Sequence, residues 1–400
     1  MTQPLIPDHA ASVASITDSH APVYRVAITG GKTTALAEVS ERLRSRGFGV
    51  YVVPEAATLM FTGGATFAGL TPAQTLNFQT QLLRTQIALE DSFYNIALAS
   101  NTPAFVLCDR GTCDGRAYMT SSMWNHMMAH NQWDMVSIRD ARYDLVVHLV
   151  TAADGAREFY TLENNKTRTE TPEQSIRLDR RTQTAWVGHP HLRIVDNRTN
   201  FREKINRVDA RISELAGMHL TKRIVRKFLL RDFEQDVSFR AEEFWVEQTF
   251  LSRGLGHDVQ ESVRKRGCGS ANTFVHKLRR GASETKRQIT NREYISLLAH
   301  CDPDRRTVRI RRRCFLFNAN YFVLDYVTNV DPGFGILRCH CHEGEEDVDL
   351  PDWLCVEKEV TGDKEYTMYE LSERVAKVRV RTDALQREDR ISDMDFARSF

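Results

Sequence analysis

The chain has 400 residues, 42% hydrophobic and 27% charged, with 54 Lys+Arg against 53 Asp+Glu and a net charge of +1. That length holds two ordinary domains, and the near-neutral total excludes a polyanion binder that works by bulk charge, so partners are to be sought in local patches. No run approaches the roughly 18 consecutive apolar residues of a membrane span. Eight cysteines in no regular framework suit reduced thiols and a cytoplasmic location.

Residues 1–22 carry Asp8 and Asp18 but no Lys or Arg, which reads as a polar, disordered tail and fits neither a secretory nor a mitochondrial leader. From Val23 to Ile28 runs an apolar strand, then a Gly-Gly-Lys-Thr-Thr turn, then Ala35, Leu36, Val39 and Leu43 at helical spacing. A second apolar run covers Val50 to Val53, a long helical pattern covers Pro72 to Ala99, and further runs cover Ala104 to Cys108 and Leu145 to Val150. A short strand, Leu192 to Val195, and a helix from Asn200 to about Ala216 close the unit. Strands alternating with helices predict an α/β fold over 23–217, a parallel sheet with helices on both faces and ligands beyond the carboxyl ends of its strands.

The turn after the first strand has the end of a phosphate-binding loop. Gly30 and Gly31 offer backbone N–H groups, Lys32 a charge for the phosphate oxygens, and Thr33 and Thr34 hydroxyls, with Thr33 a ligand for Mg²⁺. The full pattern needs four residues between its first Gly and the Gly-Lys-Thr, and this turn lacks them. The third strand ends in Asp109-Arg110-Gly111, where an acid serves as base or Mg²⁺ contact and a cation meets a phosphoryl group. Arg157, Lys166, Arg168, Arg177, Arg180 and Arg181 fall in a polar stretch suited to a mobile lid, with Arg168 and Arg177 as nucleotide contacts, and Asn197 is placed for the base edge.

From Val23 to about Gly217 the chain resembles the P-loop ATPase/kinase-like domain of the TRP-like channel translocation defect protein family. The resemblance runs through Ile28 to Thr34, Val53-Pro54-Glu55-Ala56-Ala57-Thr58, Cys108 to Gly111, Asp114 to Tyr118, and Thr184-Ala185-Trp186-Val187-Gly188-His189-Pro190. It implies binding of GTP together with phosphoinositides and a role in membrane-protein trafficking, and with the phosphate loop it leads to the expectation of a cytoplasmic protein, peripheral on vesicle membranes, that takes GTP or ATP with Mg²⁺. The same domain type resembles nucleoside and ribosylnicotinamide kinases. The family's loop carries extra Gly, Pro and Cys residues between the positions of Gly30 and Gly31, which this chain does not have.

Beyond Thr221 short alternating segments predict an antiparallel, β-rich domain over 221–375, followed by a polar tail over 376–400. Residues 221–313 hold 22 Lys+Arg against 12 Asp+Glu, whereas 314–400 hold 10 against 19. Alternation puts Arg309, Arg311 and Arg313 on one side of a strand, as it does Arg264 with Arg266 and Lys277 with Arg279. Several such strands predict a closed barrel lined with charge, in which Arg and Lys hold a polyphosphate and Glu247, Glu357 and Glu359 a divalent ion. The arrangement resembles the CYTH, or triphosphate tunnel, fold. Where that fold's catalytic members carry Glu-x-Glu-x-Lys, this chain has Trp245, Glu247 and Thr249, which favours a binder of phosphorylated groups over a polyphosphate hydrolase. Cys339-His340-Cys341-His342 looks like a zinc motif, but alternation sends its cysteines and histidines to opposite faces.

Overall fold

A computed structural model of the full chain describes residues 21–31, 33–156, 171–218, 220, 223–230, 241–252, 259–268, 271–281, 283–318, 320–329, 334–342 and 348–374. It divides by contacts into two units. The first comprises residues 1–130, 143–185 and 195–220, and the second comprises 131–142, 186–194 and 221–400.

The first unit is built on a five-stranded sheet of β1 (Val23–Gly30), β2 (Gly49–Val53), β3 (Ala104–Asp109), β4 (Leu145–Leu149) and β5 (Leu192–Val195), in the order β2-β3-β1-β4-β5, with only Val195 of β5 inside the bounds of that unit. The sheet is parallel, as its unbroken apolar runs predict: strands covered by helices on both faces have no solvent side on which to alternate. Val26, Ile28, Phe105, Leu107 and Val147 pack with Val39 and Leu43 of α1 (Thr33–Ser45) and with Ile205, Val208 and Ile212 of the last helix of the unit, Phe201–Ser213. Between β2 and β3 lie α2 (Ala56–Thr62) and α3 (Pro72–Ala99). Thr71 starts α3 with a capping box to Gln74, and Pro72 sits where a missing N–H costs nothing. Next come α4 (Ser121–His130), α5 (Pro172–Ala185) and α6 (Phe201–Ser213). Parallel order brings the ends of β1, β3 and β4 to one edge.

The second unit is an antiparallel sheet of β6 (Arg223–Leu230), β7 (Glu242–Leu251), β8 (Val259–Cys268), β9 (Ala271–Arg280), β10 (Ser283–Ile289), β11 (Val308–Phe317), β12 (Asn320–Val327), β13 (Phe334–His342) and β14 (Val356–Glu359). Their order is β10-β9-β8-β7-β11-β12-β13-β6-β14. No pairing among the described residues joins β10 to β14, yet Lys227 on β6 feels the charges of Lys277 and Arg279 on β9. Strands six places apart come that close only when a sheet curls strongly.

The apolar core lies on the convex side. Phe228, Phe315, Phe322, Leu324 and Leu337 are covered there by Val348 and Leu354, and Val263 and Ile289 pack with Tyr294 of α7 (Asn291–Leu298). Phe322 is fully buried, with its ring 5.3 Å from that of Phe315. Phe322→Ala should therefore cost about 3–5 kcal/mol, whereas Arg309→Ala, at an exposed position, should stay within about 0.5 kcal/mol. Urea unfolding of the two variants checks the contrast.

Candidate functional site

At the end of β1, Thr29 and Gly30 pair with His148 and Leu149 of β4. Gly30 has φ +83°, and a Cβ there would stand 2.0 Å from the Leu149 carbonyl oxygen, so only glycine fits. The Gly31 N–H donates to that same oxygen at 2.8 Å, and α1 begins at Thr33. Two residues thus span the gap from strand to helix, and the Gly31 amide is committed to β4 rather than turned to a ligand. Lys32 and Arg168 lie outside the described residues, as do the side chains of Thr33 and Thr34.

Gly30 and Gly31 border a cavity of about 680 Å³ over the strand ends. Phe61, Phe67, Phe78, Tyr118 and Trp124 supply an aromatic wall, on which Phe61 stacks with Phe78 at 5.8 Å and Phe67 meets Tyr118 edge-on at 6.1 Å. The polar wall includes Glu55, Arg110, Asp114 and Asp179. Arg110 takes φ +74° and donates its N–H to the Ile28 carbonyl at 3.0 Å, which aims its side chain at Glu55 (3.2 Å) and Asp114 (3.5 Å). Burial opposes its charge, but Asp114, Tyr118 and Glu55 outweigh this and raise its pKa. Of the expected pair at the end of β3, Arg110 lines the cavity and Asp109, opposite Ile28, does not.

A buried network beneath Gly30 was not legible beforehand. His148 sits between Thr29 Oγ1, 3.0 Å from Nδ1, and Asp179 Oδ1, 3.2 Å from Nε2. Asp179 also accepts from the Thr151 N–H and from Gln183. Burial disfavours its charge, but His148, Gln183 and Thr151 hold it below its usual range. The network ties the ends of β1 and β4 to α5, where Ser175, Leu178 and Asp179 line the cavity. A His inside an otherwise apolar strand was the available signal.

Asn197 is not placed to read a base. Its Nδ2 donates to the Thr151 and Asp154 carbonyls at 2.8 and 2.6 Å, and its Oδ1 accepts from Lys204 Nζ at 2.5 Å, so both ends of the amide hold the loop after β4. Arg177 is exposed on α5 and does not line the cavity. Arg181 donates to the Met119 carbonyl.

In the second unit, cross-strand register decides which charges meet. Arg312 stands opposite Asp325, Val323 opposite Arg338, and Arg338 opposite Lys227. On the same face Gln248 stands opposite Arg264, Ser262 opposite Lys277, and Lys277 opposite Lys286. This concave face therefore gathers Lys227, Arg264, Lys277, Lys286, Arg312 and Arg338 against Asp325 and Glu284. Burial disfavours charge on Arg264, and the neighbouring Arg312 and Arg338 add to the effect. Burial likewise lowers Lys227, Lys277 and Lys286. Both carboxylates are engaged: Asp325 takes Arg312 at 2.5 and 2.9 Å and Arg338 at 2.5 Å, and Glu284 takes Lys277 at 2.6 Å and Lys286 at 3.0 Å.

The expected tunnel residues thus divide. Arg264, Arg266 and Lys277 share the concave face, and Arg279 lies at its exposed rim. Arg309, Arg311 and Arg313 are on the convex face, against expectation, where Arg311 and Arg313 both hold Glu243 at 2.7 Å and Arg309 lies 3.5 Å from Glu247. The expected metal ligands do not converge either. Glu247 is on that convex face, Glu359 pairs with Arg226 at 2.7 Å, and Glu357 is exposed on β14. Among the described residues no group of three or more His, Cys, Asp or Glu is placed to hold a metal ion. Cys339 and Cys341 are buried in the convex core. Arg312 could have been found in the sequence, because it alone interrupts the buried phase Val308, Ile310, Cys314.

Residues 25–204 match the protein family described as the AAA domain, which identifies this part of the chain as a P-loop-like domain. No curated protein matches the chain. Among solved structures, the inorganic triphosphatase NE1496 is 20% identical, with a TM-score of 0.30, covering 39% of this chain and 97% of its own. The NadR protein in complex with NAD and AMP-PNP is 12% identical, with a TM-score of 0.36, covering 50% of this chain and 51% of its own. No helix among the described residues is long and apolar enough to cross a membrane.

Burial pushes the Lys204 ammonium down to about 8, helped by Arg207. Between that value and the ordinary 10.5 the unfolded chain holds more protons than the folded one, so this residue makes stability rise with pH across the window. Unfolding free energies at the two ends of the window should differ less in Lys204→Met than in the wild type.

Proposed function

We propose, from the AAA-domain match and the cationic concave face, that this protein binds two phosphate ligands. The first unit takes a nucleotide, ATP or GTP with Mg²⁺, and the second takes an anion with clustered phosphates, inorganic polyphosphate or a phosphoinositide head group. The carrying observation is the convergence of six cations on a face with two carboxylates. Arg264 and the three lysines are each depressed by burial or by one another, and a polyanion relieves that repulsion while each charge-assisted contact contributes about 1.5–3 kcal/mol. Asp325 and Glu284 are engaged by Arg and Lys, which supports binding over a metal-dependent hydrolysis that needs carboxylates for its ions. Recognition of a phosphoinositide head group would suit a role at vesicle membranes in membrane-protein trafficking.

A second reading, a small-molecule kinase, draws on the aromatic wall of the cavity in the first unit. A planar acceptor would lie against Phe61, Phe67 and Tyr118, with its polar groups toward Glu55 and Asp114 and with Arg110 near the transferring phosphoryl. Labelled ATP with a panel of nucleosides separates the readings, since a phosphorylated product requires the kinase.

Calorimetry with tripolyphosphate tests the second unit. Lys277→Ala and Lys227→Ala should each weaken binding about tenfold, and Arg311→Ala on the convex face should leave it unchanged. Equal losses in all three would refute the concave site. Vesicles containing a phosphoinositide, set beside free tripolyphosphate, distinguish the two sources of clustered phosphate. For the first unit, equilibrium binding of ATP and GTP with Mg²⁺ is compared with Lys32→Ala. Loss of binding in the variant is the expected result, and equal binding by both proteins would refute a phosphate loop at this turn.

A further inference from the structure

The concave face does not run open past Arg266. Arg266 lies two residues beyond Arg264 on β8, on the same face, and is buried. Its guanidinium rests 4.1 Å over the Phe244 ring, donates to the Gly188 carbonyl, and lies 3.4 Å from Asp140 Oδ2. Asp140 also accepts from Arg139 Nε at 2.7 Å, while Arg139 Nη1 donates to the Val187 carbonyl at 2.6 Å. From β12, the Tyr321 hydroxyl accepts from the Gly188 N–H and donates to the His189 carbonyl, each at 3.1 Å. Gly188 has φ +99°, and a Cβ there would stand 2.8 Å from the Arg139 guanidinium. Arg139, Arg266 and Tyr321 are 3%, 6% and 7% exposed, which marks a packed assembly rather than a loop lying on the surface.

We infer that residues 131–142 and 186–194 form a fixed stop at this end of the concave face. The Asp140 carboxylate answers Arg266 in place of a phosphoryl group, so the site admits a short, compact polyphosphate and does not let a long chain pass. The inference rests on the phosphate-binding reading of this face and gives that reading a size limit. Its physical basis is twofold. Asp140 and the Gly188 carbonyl already take the guanidinium of Arg266, the next cation that a lengthening anion would reach, and the packed side chains of Arg139, Arg266 and Tyr321 leave no open path beyond it.

Calorimetric titration of the full chain with pyrophosphate, tripolyphosphate, tetrapolyphosphate and a long-chain polyphosphate reads the stop. In the wild type affinity should rise over the first steps and then level off. In Asp140→Gly it should keep rising, with the long chain gaining about tenfold per mole of chain and pyrophosphate changing less than about threefold. Tyr321→Phe keeps the ring but removes the hydroxyl that holds Gly188 and His189. It should move the plateau in the same direction, which covers the case in which the Asp140 variant misfolds. Affinity that climbs with every length in the wild type, or a plateau unmoved in both variants, overturns the stop. Absence of binding at every length is a separate outcome, which overturns the phosphate reading and the stop with it.

Discussion

Two guanidinium groups, from Arg312 on β11 and Arg338 on β13, close on the carboxylate of Asp325, which stands between them on β12 and is 1% exposed. Burial alone would raise the Asp325 pKa, but the two arginines reverse this and keep the carboxylate ionised. Three adjacent strands are thereby held with their charges pointing inward, and the one carboxylate leaves an excess of positive charge that the remaining cations feel. A buried pair of this kind contributes little net stability but is costly to break from one side. Its value lies in arrangement: it lets a sheet keep its polar side inside and put its apolar side outward.

That inversion explains the rest of the second unit. A curled sheet with a charged concave face needs its hydrophobic burial elsewhere, and α7 and residues 348–356 provide it by covering the convex side. The first unit obeys the ordinary rule, with apolar strands between helices and polar groups gathered at the strand ends. Its distinguishing constraint is the short link between β1 and α1, which leaves Gly30 against the Leu149 carbonyl. Two units, one built in the usual sense and one in the reverse, make the whole-chain charge of +1 uninformative about either.

Much of this was legible in the sequence. The parallel sheet followed from apolar runs alternating with helical spacing, and α3 occupies Pro72–Ala99, the span its pattern and Pro predicted. The antiparallel half was readable where apolar residues alternate. It was not readable at β10, whose residues Ser283–Ile289 place Glu284, Lys286 and Gln288 inward and leave almost no apolar phase to detect. The same inversion misled the assignment of the β11 arginines. In Val308–Phe317 three arginines at alternate positions suggest a binding face, yet the inward phase is the other one, carrying Arg312. Alternation shows which residues share a face and not which face is inside. The His148–Asp179 bond, between residues 31 positions apart, had no local pattern to announce it.

The second unit borrows residues from far earlier in the chain. Gly188 meets Tyr321 across 133 residues and Arg266 across 78. During synthesis residues 131–142 and 186–194 emerge well before the strands that receive them, so for that interval Arg139, Asp140 and Trp186 have no completed sheet to enter. Long-range contacts of this kind slow folding, because each must close a large loop before it contributes. The second unit is consequently not released by a single cut: cleavage near residue 220 would leave its two earlier segments, residues 131–142 and 186–194, on the other fragment. The second unit therefore waits for its last strands before its two earliest segments have a place to pack.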